Sequence, residues 1–149
     1  MTTIVLQTEI DAPIQVVFDL ARSIDAHMQS AEKTNEKAIA GVTSGWIGLN
    51  ETVTWKGKHF GIWIWHQSKI TDFVPPEFFT DEMEKGRFKS FRHEHYFSEV
   101  DGKTLMTDNL SYETPFGIFG KLFDRLLLKK HLTDFLLKRN AFLKQAAEN

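Results

Sequence analysis

The sequence predicts an α+β domain in which a seven-stranded antiparallel sheet curls around a long carboxy-terminal helix. Three observations carry that expectation. From Lys37 to Tyr112 the chain is a series of short β-type runs broken by turn residues. After Pro115 the apolar residues keep a helical period to the end. A β-branched segment and two short helical stretches precede both. A length of 149 residues suits one domain spanning residues 1–149.

The first strand is Thr3 to Ile10, rich in β-branched residues and closed by Asp11-Ala12-Pro13. Pro13 fits the first turn of a helix, and Ile14, Val17, Phe18 and Ala21 recur at i, i+3, i+4 and i+7. Ser23 is placed to cap a second helix, Ile24 to Ser30. Turn signals at Gly41 to Asn50, Lys56 to Gly61, Pro75-Pro76, Glu84 to Gly86 and Asp101-Gly102 divide the middle of the chain into strands. These run from Lys37 to Val42, Glu51 to Lys56, Ile62 to Val74, Glu77 to Glu84, Ser90 to Val100 and Lys103 to Tyr112. In the last segment Phe119, Leu122, Phe123, Leu126, Leu132, Phe135, Leu136 and Leu143 read as one amphipathic helix of about eight turns. Its Phe119, Leu122, Phe123 and Leu126 are expected to face the sheet.

Composition excludes several function classes. The net charge is −2 with no lysine or arginine block, so no electrostatic footprint for nucleic acid is present. No cysteine means no disulfide scaffold, thiol nucleophile or iron–sulfur cluster. The start Met1-Thr2-Thr3-Ile4 lacks a basic leader, Glu9 and Asp11 come soon after, and no apolar run is long enough to span a bilayer. A cytoplasmic protein without stable membrane insertion is expected. Residues 116–149 hold seven Lys/Arg against three Asp/Glu, which fits either a membrane-surface helix or the solvent face of a core helix, and the core reading is preferred because the sheet needs a cover. No phosphate loop, dinucleotide fingerprint, G-x-S-x-G elbow or H-E-x-x-H occurs, so no cofactor is expected.

Aromatic residues make up 13% of the chain, more than a small core requires. A wide sheet covered by a single helix leaves concave surface uncovered, so an aromatic-lined cavity between them is expected.

The residues that carry a family resemblance run the length of the chain. They are Ala12-Pro13, Trp46-Ile47-Gly48, Glu51-Thr52-Val53-Thr54-Trp55, His59-Phe60-Gly61, Ile70-Thr71-Asp72 and Pro75-Pro76-Glu77-Phe78-Phe79. Further on come Phe91-x-His93-x-His95-x-Phe97, Gly102-Lys103-Thr104-Leu105-Met106-Thr107-Asp108 and Tyr112-x-x-Pro115-Phe116-Gly117. With these the chain resembles the START-like (SRPBCC) superfamily that includes the birch-pollen allergen, polyketide cyclases and lipid-transfer domains, and in particular its bacterial ligand-binding branch. The resemblance implies a helix-grip fold around a ligand cavity, in a superfamily of binders, carriers, cyclases and lyases.

Alternation puts Phe91, His93, His95 and Phe97 on one face of their strand. A two-residue hairpin at Asp101-Gly102 would pair His95 with Asp108, His93 with Leu110, Phe97 with Met106 and Phe91 with Tyr112. His95 and Asp108 are then neighbours on an otherwise apolar face. They are the candidate acid/base pair if the protein is an enzyme, and otherwise a ligand contact or a self-satisfied structural pair. Asp81 alternates with Phe79 and Met83 and lies within possible reach of His93. Trp63 and Trp65 alternate with Ile62 and Ile64, so either face of that strand suits them; His59 and His66 stand alone. His93-x-His95-x-x-x-Glu99 has the spacing of a first cupin motif, but the flanking glycines and downstream histidine are missing, so no metal is expected. Gly117 and Gly120 allow either a close backbone approach or a loose helix entrance.

The expected function is the binding or carriage of a small hydrophobic or aromatic molecule. Phe79, Asp81, Phe91, His93, His95, Phe97, Met106, Asp108, Leu110, Tyr112, Phe119 and Phe123 are its candidate contacts. The alternative is a cofactor-free cyclase, dehydratase or lyase using His95 and Asp108, and the third reading is a metal enzyme using His-x-His. No oligomeric state is implied.

Overall fold

A computed structural model describes residues 1–149. Strand β1 (Thr2–Ile10) leads into α1 (Ile14–Ala21) and α2 (Ile24–Ser30), and a 3-10 turn, Glu32–Thr34, comes next. The meander is β2 (Lys37–Gly41), β3 (Thr52–His59), β4 (Ile62–Val74), β5 (Phe78–Lys85), β6 (Ser90–Val100) and β7 (Lys103–Glu113). The seven strands form one antiparallel sheet in the order β1-β7-β6-β5-β4-β3-β2, so the first strand lies beside the last.

Local chemistry explains these boundaries. Ser23 Oγ accepts from the Ala26 amide at 3.1 Å, satisfying a donor at the start of α2. Asp101 and Gly102 both have positive φ, 52° and 78°, as a tight two-residue hairpin requires. That turn sets the expected register, with His95 opposite Asp108 and Phe97 opposite Met106. The Thr104 hydroxyl donates to the Ala12 carbonyl at 2.7 Å and ties the end of β1 to the sheet.

Phe18 of α1 anchors the main core, its ring 5.3–5.6 Å from those of Phe73, Phe79 and Phe97. Val17, Ile24, Trp55 and Leu143 belong to the same cluster, and Ile4, Leu110, Tyr112, Leu128 and Leu136 form a second one under the terminal helix.

The terminal helix departs from expectation in two ways. It is interrupted by a π turn, Asp124–Leu128, between α3 (Gly117–Phe123) and α4 (Lys129–Glu148). In addition, Leu122 and Leu126 face solvent, and Phe119 and Phe123 stand at the opening of the cavity instead of packing on the sheet. The inward positions are Gly120, Asp124 and Leu128. Asp124 is drawn in because the Tyr112 and Thr2 hydroxyls both donate to its carboxylate. Gly120 is drawn in because it has no side chain: a Cβ there would lie 1.8 Å from the Pro115 carbonyl oxygen. Of the two readings for Gly120, close approach is therefore the one that applies, while Gly117 has positive φ and open space around it.

Gly120→Ala is expected to destabilise the protein by roughly 1–3 kcal/mol, because the backbone clash outweighs the gain in helix propensity of about 1 kcal/mol. Thermal unfolding checks this, and a variant as stable as the parent would show that α3 shifts without cost.

Candidate functional site

Between the concave sheet and the terminal helix lies a cavity of about 820 Å³ with mainly apolar walls. All six histidines of the chain, His27, His59, His66, His93, His95 and His131, line it. They arrive from α2, β3, β4, β6 and α4, so the clustering is a product of the fold and not of sequence proximity.

The buried end is a hydrogen-bonded network. Arg139 donates from Nη1 to Asp108 Oδ1 at 3.0 Å and from Nη2 to His95 Nδ1 at 3.3 Å. A guanidinium has only donors, so His95 Nδ1 carries the lone pair and its Nε2–H donates to Asp81 Oδ2 at 2.7 Å. His93 Nε2–H donates to Asp108 Oδ1 at 2.8 Å, and the Asn140 amide donates to Asp108 Oδ2 at 2.8 Å. The His93 and His95 rings stack with centroids 3.7 Å apart, and Phe79 covers the other side of His95 at 4.1 Å.

The partners differ from those the ladder suggests. His95 is directly opposite Asp108 and His93 is opposite Asp81, yet the short carboxylate contacts are the diagonal ones, His95 with Asp81 and His93 with Asp108. His95 Nδ1 is 3.5 Å from Asp108 Oδ1, and Arg139 occupies its lone pair. An imidazole is long enough to reach past its facing residue to a diagonal one.

Electrostatics set the protonation states. Burial alone would raise both carboxyls. At Asp81 the hydrogen bond and field of His95 outweigh it and bring the pKa down to about 2. At Asp108 the Arg139 guanidinium and the His93 hydrogen bond hold it well below the usual carboxylate range. Burial lowers His93, with the nearby His95 acting in the same direction. His27 is pushed down to about 4 by burial; its ring lies 4.2 Å from Trp55 and its Nε2 has no protein partner. His66 is lowered by burial as well.

A second polar group lies nearer the mouth. Glu36 Oε2 is 3.4 Å from His59 Nε2, and His59 Nδ1 is 2.8 Å from His131 Nε2. Gly57 makes this possible, since a Cβ there would sit 1.5 Å from Glu36 Oε2. The His131 ring is 4.6 Å from that of Phe60 at the β3–β4 hairpin.

Of the candidate contacts, Phe79, Asp81, Phe91, His93, His95 and Leu110 lie on the cavity wall. Phe119 and Phe123 lie at its mouth, Phe119 largely exposed and Phe123 partly covered. Phe97 and Met106 are instead packed in the main core, and Tyr112 is buried against Asp124. Asp108 is fully buried behind His93 and Arg139 and does not line the cavity. Trp63 and Trp65 occupy the outer face of the sheet, with the Lys56 ammonium 5.3 and 5.6 Å over their rings, while Ile62 and Ile64 point to the cavity. Glu99, the third member of the cupin-like spacing, is exposed. Asp81, His93 and His95 do bring one ligand-type atom each within 4.8 Å of one another. In this arrangement His95 engages Asp81 and Arg139 through its two ring nitrogens, and His93 engages Asp108 through Nε2.

Sequence reasoning did not single out His27, Glu36, His131, Arg139 or Asn140. For the last two a signal existed. Leu132, Leu136, Arg139, Asn140 and Leu143 follow helical spacing, so an arginine and an asparagine occupy positions of the apolar stripe.

No protein-family description and no curated protein sequence matches the chain. Solved structures do. Protein TTHA0849 from Thermus thermophilus aligns with a TM-score of 0.76 at 16% identity, covering 98% of this chain and 99% of the other. Major latex-like protein 151 of Panax ginseng gives 0.73 at 15%, covering 99% and 98%. A START superfamily protein from Mycobacterium smegmatis gives 0.73 at 13%, covering 98% and 97%. At such identities the likeness speaks for architecture alone. The open seven-stranded antiparallel sheet, the two short helices after its first strand and the long closing helix make this a helix-grip fold, the architecture it shares with the START superfamily protein from Mycobacterium smegmatis.

Proposed function

We propose that the protein binds a small, mainly apolar or aromatic molecule in the cavity, as a binder or carrier, with a polar group of the ligand turned toward Asp81 and His93. The observation that carries this reading is a cavity of about 820 Å³ whose walls are apolar while one buried end holds a complete polar network. Ligand pockets typically have this size and this division of labour, apolar area for affinity and a few polar groups for orientation. Asp81 keeps part of its carboxylate accessible beside His95, so a ligand hydroxyl or amine has an acceptor there.

An environment-sensitive apolar dye is expected to bind the native protein in a one-to-one ratio and to be displaced by whatever copurifies from the expression host, identified by mass spectrometry. Binding seen only under partly unfolding conditions would report a loosened core and end this reading.

A second reading, an enzyme of the cyclase, dehydratase or lyase type, is favoured by one observation: the 2.7 Å Asp81–His95 pair on the cavity wall. Both His95 nitrogens are engaged, so the partly accessible Asp81 carboxylate is the member of the pair that can take a proton from a ligand, with His95 fixing its orientation. Turnover of the bound molecule separates the two readings. If the pair acts on the ligand, Asp81→Asn and His95→Gln each weaken binding or turnover, and the double variant loses less than the sum of the two. Additive losses would leave the pair a structural fixture.

A further inference from the structure

The first half of the terminal helix is organised in three rows. Gly120, Asp124 and Leu128, at i, i+4 and i+8, face inward. Lys121, Arg125 and Lys129 form a parallel exposed row, and none of the three pairs with a carboxylate. Phe119, Leu122, Phe123, Leu126 and Leu127, at i, i+3, i+4, i+7 and i+8, form a third row that is apolar and exposed. Phe119 is 78% and Leu126 64% exposed. The segment's one acid, Asp124, is turned inward to Tyr112 and Thr2, so the outer surface of this stretch carries positive charge only.

Two further rings extend the patch. Phe116 stands just before α3 and is 83% exposed; Phe60 stands at the β3–β4 hairpin tip, its ring 5.3 Å from that of Phe123. Both have positive φ, 68° and 53°, a conformation that suits glycine or asparagine far better than a bulky ring. The Phe116 ring stacks on no other ring, and Phe60 meets only His131 and Phe123 at the same opening. Phe60, Phe116, Phe119 and Phe123 all line the cavity mouth.

We propose that this face docks on an anionic lipid surface. The exposed rings and leucines enter the boundary between headgroups and acyl chains, and Lys121, Arg125 and Lys129 lie among anionic headgroups. An apolar stripe flanked by unpaired cations is the pattern that holds a helix in the plane of a membrane. Charge also decides between this occupant and a second copy of the chain, because a two-fold contact across the same patch would bring two unpaired basic rows together. The protein lies on the bilayer without crossing it, as no helix is long and apolar enough to span one. Docked this way, the cavity opens directly onto lipid.

Co-sedimentation of the purified protein, with no ligand added, tests the proposal on vesicles of phosphatidylcholine alone and of phosphatidylcholine mixed with phosphatidylglycerol. Partition onto the mixed vesicles is expected to exceed that onto the neutral ones by at least about tenfold at low salt, and to fall as salt is raised. Lys121→Gln with Arg125→Gln should weaken it by about thirtyfold, each cation contributing about a factor of five. Leu122→Gln with Leu126→Gln should weaken it by at least about tenfold. All four positions are exposed, so circular dichroism should show both variants folded. Equal partition onto both vesicle types, no partition at low salt, or unchanged partition of the two variants overturns the proposal. So does a concentration-dependent dimer that the double leucine variant dissolves, which assigns the patch to a second copy. Dye binding to the cavity is scored separately, so loss of the ligand reading and loss of this one give different results.

Discussion

Arg139→Met should destabilise the protein by about 3–5 kcal/mol, the largest single-residue effect expected in this chain. Arg139 is 5% exposed and Asp108 fully buried, and the guanidinium reaches Asp108, His95 and the Asn140 side-chain oxygen. Without it Asp108 keeps the donors of His93 and Asn140 but loses the one nearby full positive charge. A buried ionised carboxylate held by neutral donors alone is costly. Arg139→Lys should fall between the two, since an ammonium keeps the charge but lacks the planar fork that serves three acceptors at once. Asp108→Asn should cost a similar amount for the converse reason, leaving the guanidinium buried without its carboxylate. The double variant should lose less than the sum. Urea unfolding midpoints measure all four. An Arg139→Met protein within about 1 kcal/mol of the parent would show that water reaches Asp108 and that the network is not a dry one.

The second large effect is loss of stability in acid, beginning well above the range where carboxylates titrate. His27 has an ordinary pKa of 6.5 when unfolded and about 4 in the fold, where burial outweighs the attraction of Glu36. Between those values the unfolded chain binds more protons than the native one, so stability rises with pH there and is lost as pH falls through that window. For His27 alone the full loss is about 3 kcal/mol, a large fraction of the stability of an ordinary domain. His66, His93 and His131 are lowered as well and act in the same direction. Below about pH 4 a further loss sets in, because the unfolded chain protonates Asp81 while the fold holds it ionised down to about pH 2. Unfolding midpoints from about pH 7.5 to pH 4.5 should therefore fall steadily, and His27→Phe, which keeps a ring against Trp55, should flatten the slope. An unchanged slope in that variant would move the effect to other groups.

The legible and illegible parts of this molecule divide along physical lines. The β6–β7 pairing was readable because a strand has a strict period of two and Asp101-Gly102 fixes the turn, so one choice of register makes every inward residue agree. The hydrogen-bond partners within that pairing were not, because a backbone register locates Cα atoms while an imidazole selects among several carboxylates within its reach. Arg139 and Asn140 meet Asp108 across more than thirty residues of chain, and only their place on an apolar stripe hints at it. Phe119, Leu122, Phe123 and Leu126 show a different limit. Periodicity reports that a helix has an apolar face, but not which medium receives it, and Gly120 and Asp124 decided the rotation through a clash avoided and a hydrogen bond gained.

The gathering of every histidine around one cavity has a consequence for the rest of the molecule. Imidazole is the only side chain whose ordinary pKa lies between about pH 5 and pH 7, so over that range the outer surface holds no side chain that changes its charge. Mild acidification leaves the colloidal behaviour of the exterior, its mobility, its solubility and its repulsion of neighbours, almost as it was. Inside, burial favours the neutral imidazole at His27, His66 and His93, so mild acid is felt as a falling stability of the fold and not as a change in the charge other molecules meet.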